Sequence, residues 1–413
     1  MKNHLSGWFF YAIQLQKVRL ASMLKIQFLF LCFVTYSVFG QSWHQLEDFP
    51  GTPRDDGSCF VIDSFVYTGL GRDNGFSCMR DFYRYNGVTM AWSDCEDLPL
   101  GEERQYAVGT SNNGIGYVFG GVKCDGTYCN DLWEYNPLSN SWSVLEPLPA
   151  VGRSGAVHFV LNDNIYIVGG KNQQGIVTDV WGYDINNNQW SQKTALPGSG
   201  IWRGTSFEYN NLGFVGLGRN NLNNQTDLNT EFYQYNPISQ QWTTLPSPGL
   251  SPRCYIGTAR TNNLVSFFGG LDASNVVLND FQVLDINTWV LTGSTSFIST
   301  PRKGTMSFAF GPDFYFTTGI SNAERFKETW RISNVLNVPT QTFSWSAYPN
   351  PCAEILTVET NIGAAITMID LSGRIVYSSI AENPETNIDA TVLFNGAYIL
   401  KIEDRHQSIL IQH

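Results

Sequence analysis

The chain has 413 residues, 36 acidic and 25 basic, giving a net charge of −11 with only 15% of residues charged. So low a charge content excludes a disordered acidic protein, and the missing basic field argues against nucleic acid as a partner. Aromatics at 14% and 38 glycines point to strands and tight turns, in two or three domains or in one large all-β domain with a small one attached.

Residues 25–40 read KIQFLFLCFVTYSVFG: one cation, an apolar run short for a membrane span, then small residues before Gln41. This is the pattern of an export leader over residues 1–40, with Met23 as the expected start and Gln41 as the first mature residue. No later segment is apolar enough to span a bilayer, so no transmembrane segment is expected in the mature chain. Beyond Cys32 in the leader, seven cysteines remain, an odd number that leaves at least one unpaired. Cys124 and Cys129 bracket a short loop, and Cys78 and Cys95 flank a hairpin turning at Asn86-Gly87, so these two pairs are the candidate disulfides. Histidine is almost absent, and neither a metal site nor a cofactor is expected.

A period near fifty follows. Arginines stand at Arg54, Arg104, Arg153, Arg203, Arg253 and Arg302, at intervals of 50, 49, 50, 50 and 49 residues. Tryptophans stand at Trp43, Trp92, Trp142, Trp190, Trp242 and Trp289, at intervals of 49, 50, 48, 52 and 47. A glycine element closes an apolar strand in each unit, from Gly69-Leu-Gly71 and Gly120-Gly121 to the degenerate Thr318-Gly319. An acidic-aromatic strand comes next, beginning at Asp81, Asp131, Asp179, Glu231, Asp280 and Glu328. Each unit reads as four strands. In the third, strand a is expected over 154–161, b over 165–168, c near 180–184, and d carries Trp190. A lone four-stranded sheet cannot bury both faces, whereas six stacked radially can. The sixth unit lacks a d strand while Trp43 precedes the first arginine. Residues 41–49 are therefore expected to supply the missing strand and close the ring.

The order strand, Gly-Gly, acidic-aromatic strand, turn, Trp resembles the kelch repeat over residues 41–332, and the resemblance implies a six-bladed β-propeller. Kelch propellers include protein-binding modules, a copper oxidase and a sialic acid mutarotase, so fold alone does not choose among them. Residues 333–347 lack periodicity and read as a linker. From Tyr348-Pro-Asn-Pro351, strands are expected over 355–359, 365–370, 373–377 and 396–402. With the Asp-Leu-Ser-Gly-Arg turn and the late Gly-x-Tyr strand, residues 348–413 resemble the C-terminal sorting domain of type IX secretion substrates. That resemblance implies a small Ig-like β-sandwich read by the secretion machinery, and a secreted or outer-membrane-surface protein.

In an antiparallel meander, the starts of the a strands share one mouth with the variable b–c loops, and a ligand site is expected there. Arg54, Arg104, Arg153, Arg203, Arg253 and Arg302 are its candidates, as an anion site or as locks bonded to loop carbonyls and to acids such as Glu102, Glu103, Asp55 or Asp56. Trp202 stands out, because the residue before each arginine is otherwise Pro53, Glu103, Gly152, Pro252 or Pro301. A large aromatic beside Arg203 suits a glycan or acidic sugar. Copper oxidation wants imidazoles, and only His44 and His158 fall in the propeller. Glu208 and Asp227 are candidates for paired-carboxylate hydrolysis, with no spacing rule behind them. The residues read as a secreted or cell-surface binding or adhesion module for a protein or glycan, more so than as an enzyme. The alternative is a carbohydrate-modifying enzyme resembling the sialic acid mutarotase.

Overall fold

The computed structural model describes residues 42–222, 227–333, 346–360, 364–371, 373–402 and 405–413. The expected leader lies outside the described residues, as does most of the expected linker. Residues 42–333 form six four-stranded antiparallel sheets, each a meander from an innermost strand a to an outermost strand d. The third blade is typical, with strands Val157–Leu161, Asn164–Val168, Val180–Asp184 and Gln189–Lys193. Strand a begins three residues later than expected, because Ser154 makes only an isolated bridge to Lys171.

Burial falls from the axis outward. Strand b of the third blade is buried at four consecutive residues, since both faces are covered, whereas Gln189–Lys193 has no buried residue. The apolar cores lie between blades: Phe159 and Tyr166 of the third pack on Val215 and Tyr235 of the fourth, and Val66 and Tyr85 of the first on Phe308 and Tyr315 of the sixth. Each such side chain contributes about 1.5–3 kcal/mol by leaving water. The blades approach so closely that a Cβ on Gly213 would stand 2.5 Å from the Phe159 ring, so glycine is required there.

The ring closes as expected. Ser42–Gln45 pairs antiparallel with Thr329–Ser333, in the register Trp43 to Ile332, and so becomes the d strand of the sixth blade beside Met306–Phe310 and Asp313–Thr317. Trp43 behaves like its five counterparts. Its Nε1 donates to the Ser296 carbonyl of the fifth blade at 3.0 Å, as Trp142 does to Glu96 at 2.8 Å and Trp190 to Glu146 at 2.8 Å. The repeated tryptophan thus fastens each outer strand to the blade before it.

Residues 346–411 form a three-stranded sheet (Ser346–Tyr348, Ile355–Glu359, Glu385–Asp389) and a four-stranded sheet (Ala365–Asp370, Ile375–Ile380, Gly396–Ile402, Arg405–Ile411) around a core that includes Leu356, Ile366, Met368, Ile388 and Leu400. The stretch expected as linker is ordered at both ends, with Ser333 and Ser346 in sheets. Among the described residues no helix is long and apolar enough to cross a membrane.

Candidate functional site

Where the blades converge, one residue per blade turns the chain into strand a: Asp56, Tyr106, Gly155, Arg203, Tyr255 and Gly304. All six have φ between 54° and 64°. The amide of each donates to the carbonyl of its counterpart in the preceding blade, from Tyr106 to Asp56 at 2.9 Å round to Asp56 itself, which donates to Gly304 at 2.9 Å. The six hydrogen bonds, all 2.8–3.0 Å, form a closed collar around the axis. The left-handed turn is strained for residues other than glycine, and the collar repays it by pairing backbone groups that the converging blades would otherwise bury unbonded.

Two residues before the collar stand Arg54, Arg104, Arg153, Arg253 and Arg302, each almost wholly buried. Four of them, Arg54, Arg104, Arg153 and Arg253, donate from Nη1 to a carbonyl at the end of strand b of their own blade. Each of the five pairs with the acid that opens strand c of its own blade: Arg54 with Asp81, Arg104 with Asp131 at 2.6 Å, Arg153 with Asp179 at 2.6 Å, Arg253 with Asp280 at 2.6 Å and Arg302 with Glu328 at 2.6 Å. The aromatic two residues on steadies the acid, as when Trp133 Nε1 donates to Asp131 at 2.6 Å. Burial alone would raise Asp179, but hydrogen bonding and attraction from Arg153 hold it below the ordinary carboxylate value. Of the acids named beforehand as partners, Glu102 does pair with Arg104, but Glu103 pairs with Arg80 at 3.7 Å and Asp55 with Arg325 at 2.5 Å.

Arg203 does not belong to that series. In the fourth blade the structural arginine position holds Ile201, whose carbonyl accepts from Gly170 as the Arg153 carbonyl does from Gly121. Arg203 stands two residues on, in the collar, and Trp202 takes the place of Asp55, Gln105, Ser154, Cys254 and Lys303. The proline-like slot therefore belongs to Gly200 in this blade and not to Trp202. Glu231, left without an arginine, accepts from the Tyr233 hydroxyl at 2.7 Å.

The Arg203 guanidinium carbon lies 3.3 Å from the Tyr106 ring centre, 3.8 Å from that of Tyr255 and 4.3 Å from that of Trp202. Its nearest carboxylate is Asp56, at 3.9 Å, and its Nε and Nη1 have no hydrogen-bond partner among the described residues. Burial, and then the neighbouring Asp55, push the Asp56 carboxyl well above its ordinary value of 3.8, with Arg203 and Lys303 opposing. Asp56, Tyr106, Arg203 and Tyr255 line a hollow of about 130 Å³ together with Gly57, Ala107 and Gly204. The site thus combines a desolvated cation short of acceptors, a carboxyl whose affinity for a proton is raised, and aromatic walls. It can grip an anionic group and exchange a proton beside it.

Three residues of this site, Tyr106, Tyr255 and Lys303, were not singled out from the sequence, and Asp56 was named only as an acid to lock an arginine. Their signal was available in the residues one and two after each arginine rather than the one before it. Glu208 and Asp227 are not brought together. Glu208 is near the far end of strand a, paired with Arg260 at 3.0 Å, while Asp227 is on the mouth-side loop, accepting from Asn221 at 2.8 Å. The disulfide expectation is also corrected. Cys78 is bonded to Cys124, joining the b–c loops of the first and second blades, while Cys95 and Cys129 are free thiols.

Comparison with known proteins identifies two segments. Residues 95–260 match the Kelch-repeats domain of the KLHDC2/KLHL20/DRC7 type, and residues 346–412 match the secretion system C-terminal sorting domain. Kelch repeats and a type IX sorting domain are therefore present, and the tail marks the chain for secretion to the cell surface or the extracellular space. An N-acetylneuraminate epimerase of Haemophilus influenzae (strain PittEE) is 32% identical over 151 residues, 34% of this chain and 38% of that protein. One of Shigella sonnei (strain Ss046) is 33% identical over 127 residues, 29% of this chain and 33% of that protein. The chain thus matches between a third and two fifths of the length of these curated relatives. The solved structure titled "Structure of YjhT" shares the fold, with a TM-score of 0.58 and 19% identity over 69% of this chain and 96% of that one. These relatives overturn the expectation that the chain is more a binder than an enzyme, since the curated proteins it matches are named as epimerases.

Proposed function

We propose that the propeller is a secreted sugar-acid epimerase, acting on N-acetylneuraminate or a close analogue at the axial mouth. The observation that carries this reading is the displacement of Arg203 from the structural series into the collar, where it is buried and, among the described residues, its only ion pair is a long one to Asp56. The relatives' names supply the substrate class, and the chemistry of the collar agrees with it. A carboxylate on the sugar would complete the Arg203 guanidinium, while the Tyr106, Tyr255 and Trp202 rings offer faces to a pyranose.

Interconversion of anomers opens the ring by moving the proton of the anomeric hydroxyl to the ring oxygen, then recloses it on the other face. Asp56 suits that exchange because burial raises its affinity for a proton. One oxygen can donate to the ring oxygen while the other accepts from the anomeric hydroxyl, with no net transfer. The test is NMR exchange spectroscopy of N-acetylneuraminate anomers with the full chain. The wild type is expected to accelerate exchange, with loss of at least about 100-fold in Arg203→Met and in Asp56→Asn. Exchange at the uncatalysed rate with correctly folded wild-type protein would remove the proposal.

A further inference from the structure

Each buried arginine of the other blades has an acid of its own blade against it; the cations at the mouth do not. Around Arg203 stand three more cations. Lys303 Nζ lies 4.7 Å from the centre of the Tyr255 ring, the Arg219 guanidinium carbon lies 6.0 Å from the same centre, and Lys171 Nζ lies 5.2 Å from the centre of the Trp202 ring. Among the described residues none of these three has an acid within 4 Å. Arg219 is nine-tenths buried, and its Nε has no hydrogen-bond partner. Of the nearby acids, Asp55 is paired with Arg325, and Asp56, whose proton affinity is raised by burial and by Asp55, stands 3.9 Å from Arg203. The aromatic faces steady the cations but carry no net charge, worth about 0.5–2 kcal/mol each. Four positive groups thus stand against the Tyr255 and Trp202 rings, beside the hollow that Arg203 lines, in a protein whose net charge is −11.

Resting on the epimerase reading, we infer that the substrate of this site carries a second anionic group besides the sugar-acid carboxylate: a phosphate or sulfate ester, or a second carboxylate. Arg203, on the collar, takes the carboxylate beside the reacting centre. Arg219 and Lys303, on the flank formed by the fourth to sixth blades, take the second group. Arg203 and Arg219 share the Tyr255 ring, so their guanidinium carbons are at most about 10 Å apart. A monosaccharide with an anion at each end spans such a gap. A monoanionic sugar would leave Arg219 and its neighbours uncompensated, which is costly for cations removed from water.

The experiment is isothermal titration of the full chain with N-acetylneuraminate and with a phosphate monoester of the same sugar, at low and moderate salt. The ester is expected to bind at least about tenfold more tightly at low salt, with the advantage shrinking as salt screens it. In Arg219→Met and in Lys303→Met the advantage falls to less than about threefold. Equal affinities in the wild type, with N-acetylneuraminate still bound, overturn this inference and leave the epimerase reading standing. A preference for the ester that survives both substitutions overturns the assignment of Arg219 and Lys303. If neither sugar binds, both readings fail.

Discussion

The Arg203 guanidinium sits over the Tyr106 ring, its carbon 3.3 Å from the ring centre, although the two residues belong to the fourth and second blades. A side chain from one blade thus reaches across the axis to rest on another. It also approaches Asp56 of the first blade and Tyr255 of the fifth. The pseudo-sixfold scaffold is broken at its centre, where the fourth blade carries Ile201 at the structural arginine position and Arg203 in the collar.

The two kinds of arginine should respond differently to truncation. Arg153→Met leaves Asp179 beside the glycine turn without its cation and should cost about 3 kcal/mol, lowering the melting temperature by about 6 °C or more. Arg203→Met removes a cation with only a long ion pair and should shift it by less than about 2 °C. Calorimetry on both variants decides; similar losses would mean that Arg203 is as structural as the rest.

Asp56 should make stability fall as pH rises. Its folded-state affinity for protons exceeds that of the unfolded chain, so its contribution is complete below about pH 3.8 and is lost as pH climbs towards the raised folded value. Asp56→Asn should therefore melt higher than the wild type near neutrality and show a flatter profile. Parallel profiles for the two proteins would rule out the buried protonated carboxyl.

The Cys78–Cys124 bond closes a loop with a sequence separation of 46 residues and ties two mouth loops together. Its loss, by reductant or in Cys124→Ser, should cost about 2–4 kcal/mol. Peptide mapping without reductant should recover Cys78 joined to Cys124 and alkylate Cys95 and Cys129. A peptide joining Cys124 to Cys129 would contradict the structure.

Trp43 is surrounded by Phe268, Phe281, Phe297 and Phe316, with ring centres 5.1–6.2 Å away. Trp43→Ala should cost about 3–5 kcal/mol. It should also raise amide exchange in Thr329–Ser333 above that in the other blades. Uniform exchange across all six would show that the ring does not depend on this strand.

The ring was legible because its determinants repeat: Trp43 through Trp289 and the glycine elements mark each blade, and the unmatched Trp43 foretold closure. The pairing of Arg54 with Asp81 and its equivalents was nearly legible, since both members recur at a fixed offset. The centre was not. Arg203 falls 50 residues after Arg153 and so hides in the series, although Ile201 is the true counterpart. Only the bond from Gly170 to the Ile201 carbonyl exposes the two-residue shift. Tyr106 and Asp56 carry no local pattern, and the axis that unites them exists only after closure. The Cys78–Cys124 bond was invisible for the same reason, as it joins loops that meet only when blades stand side by side. In the tail, Glu385–Asp389 escaped because only Ile388 of its five residues is buried, too little for an alternating signal.

The seam between Ser42 and Ser333 joins residues 291 apart, so it sets an order of events in folding. Five sheets can form as their own residues emerge, but Ser42–Gln45 must wait until Thr329–Ser333 has been made. Until the two pair, Thr329–Ser333 presents an open edge able to capture another chain. The two ends of the propeller are thus a timing device, and the assembly stays vulnerable until its earliest and latest segments meet.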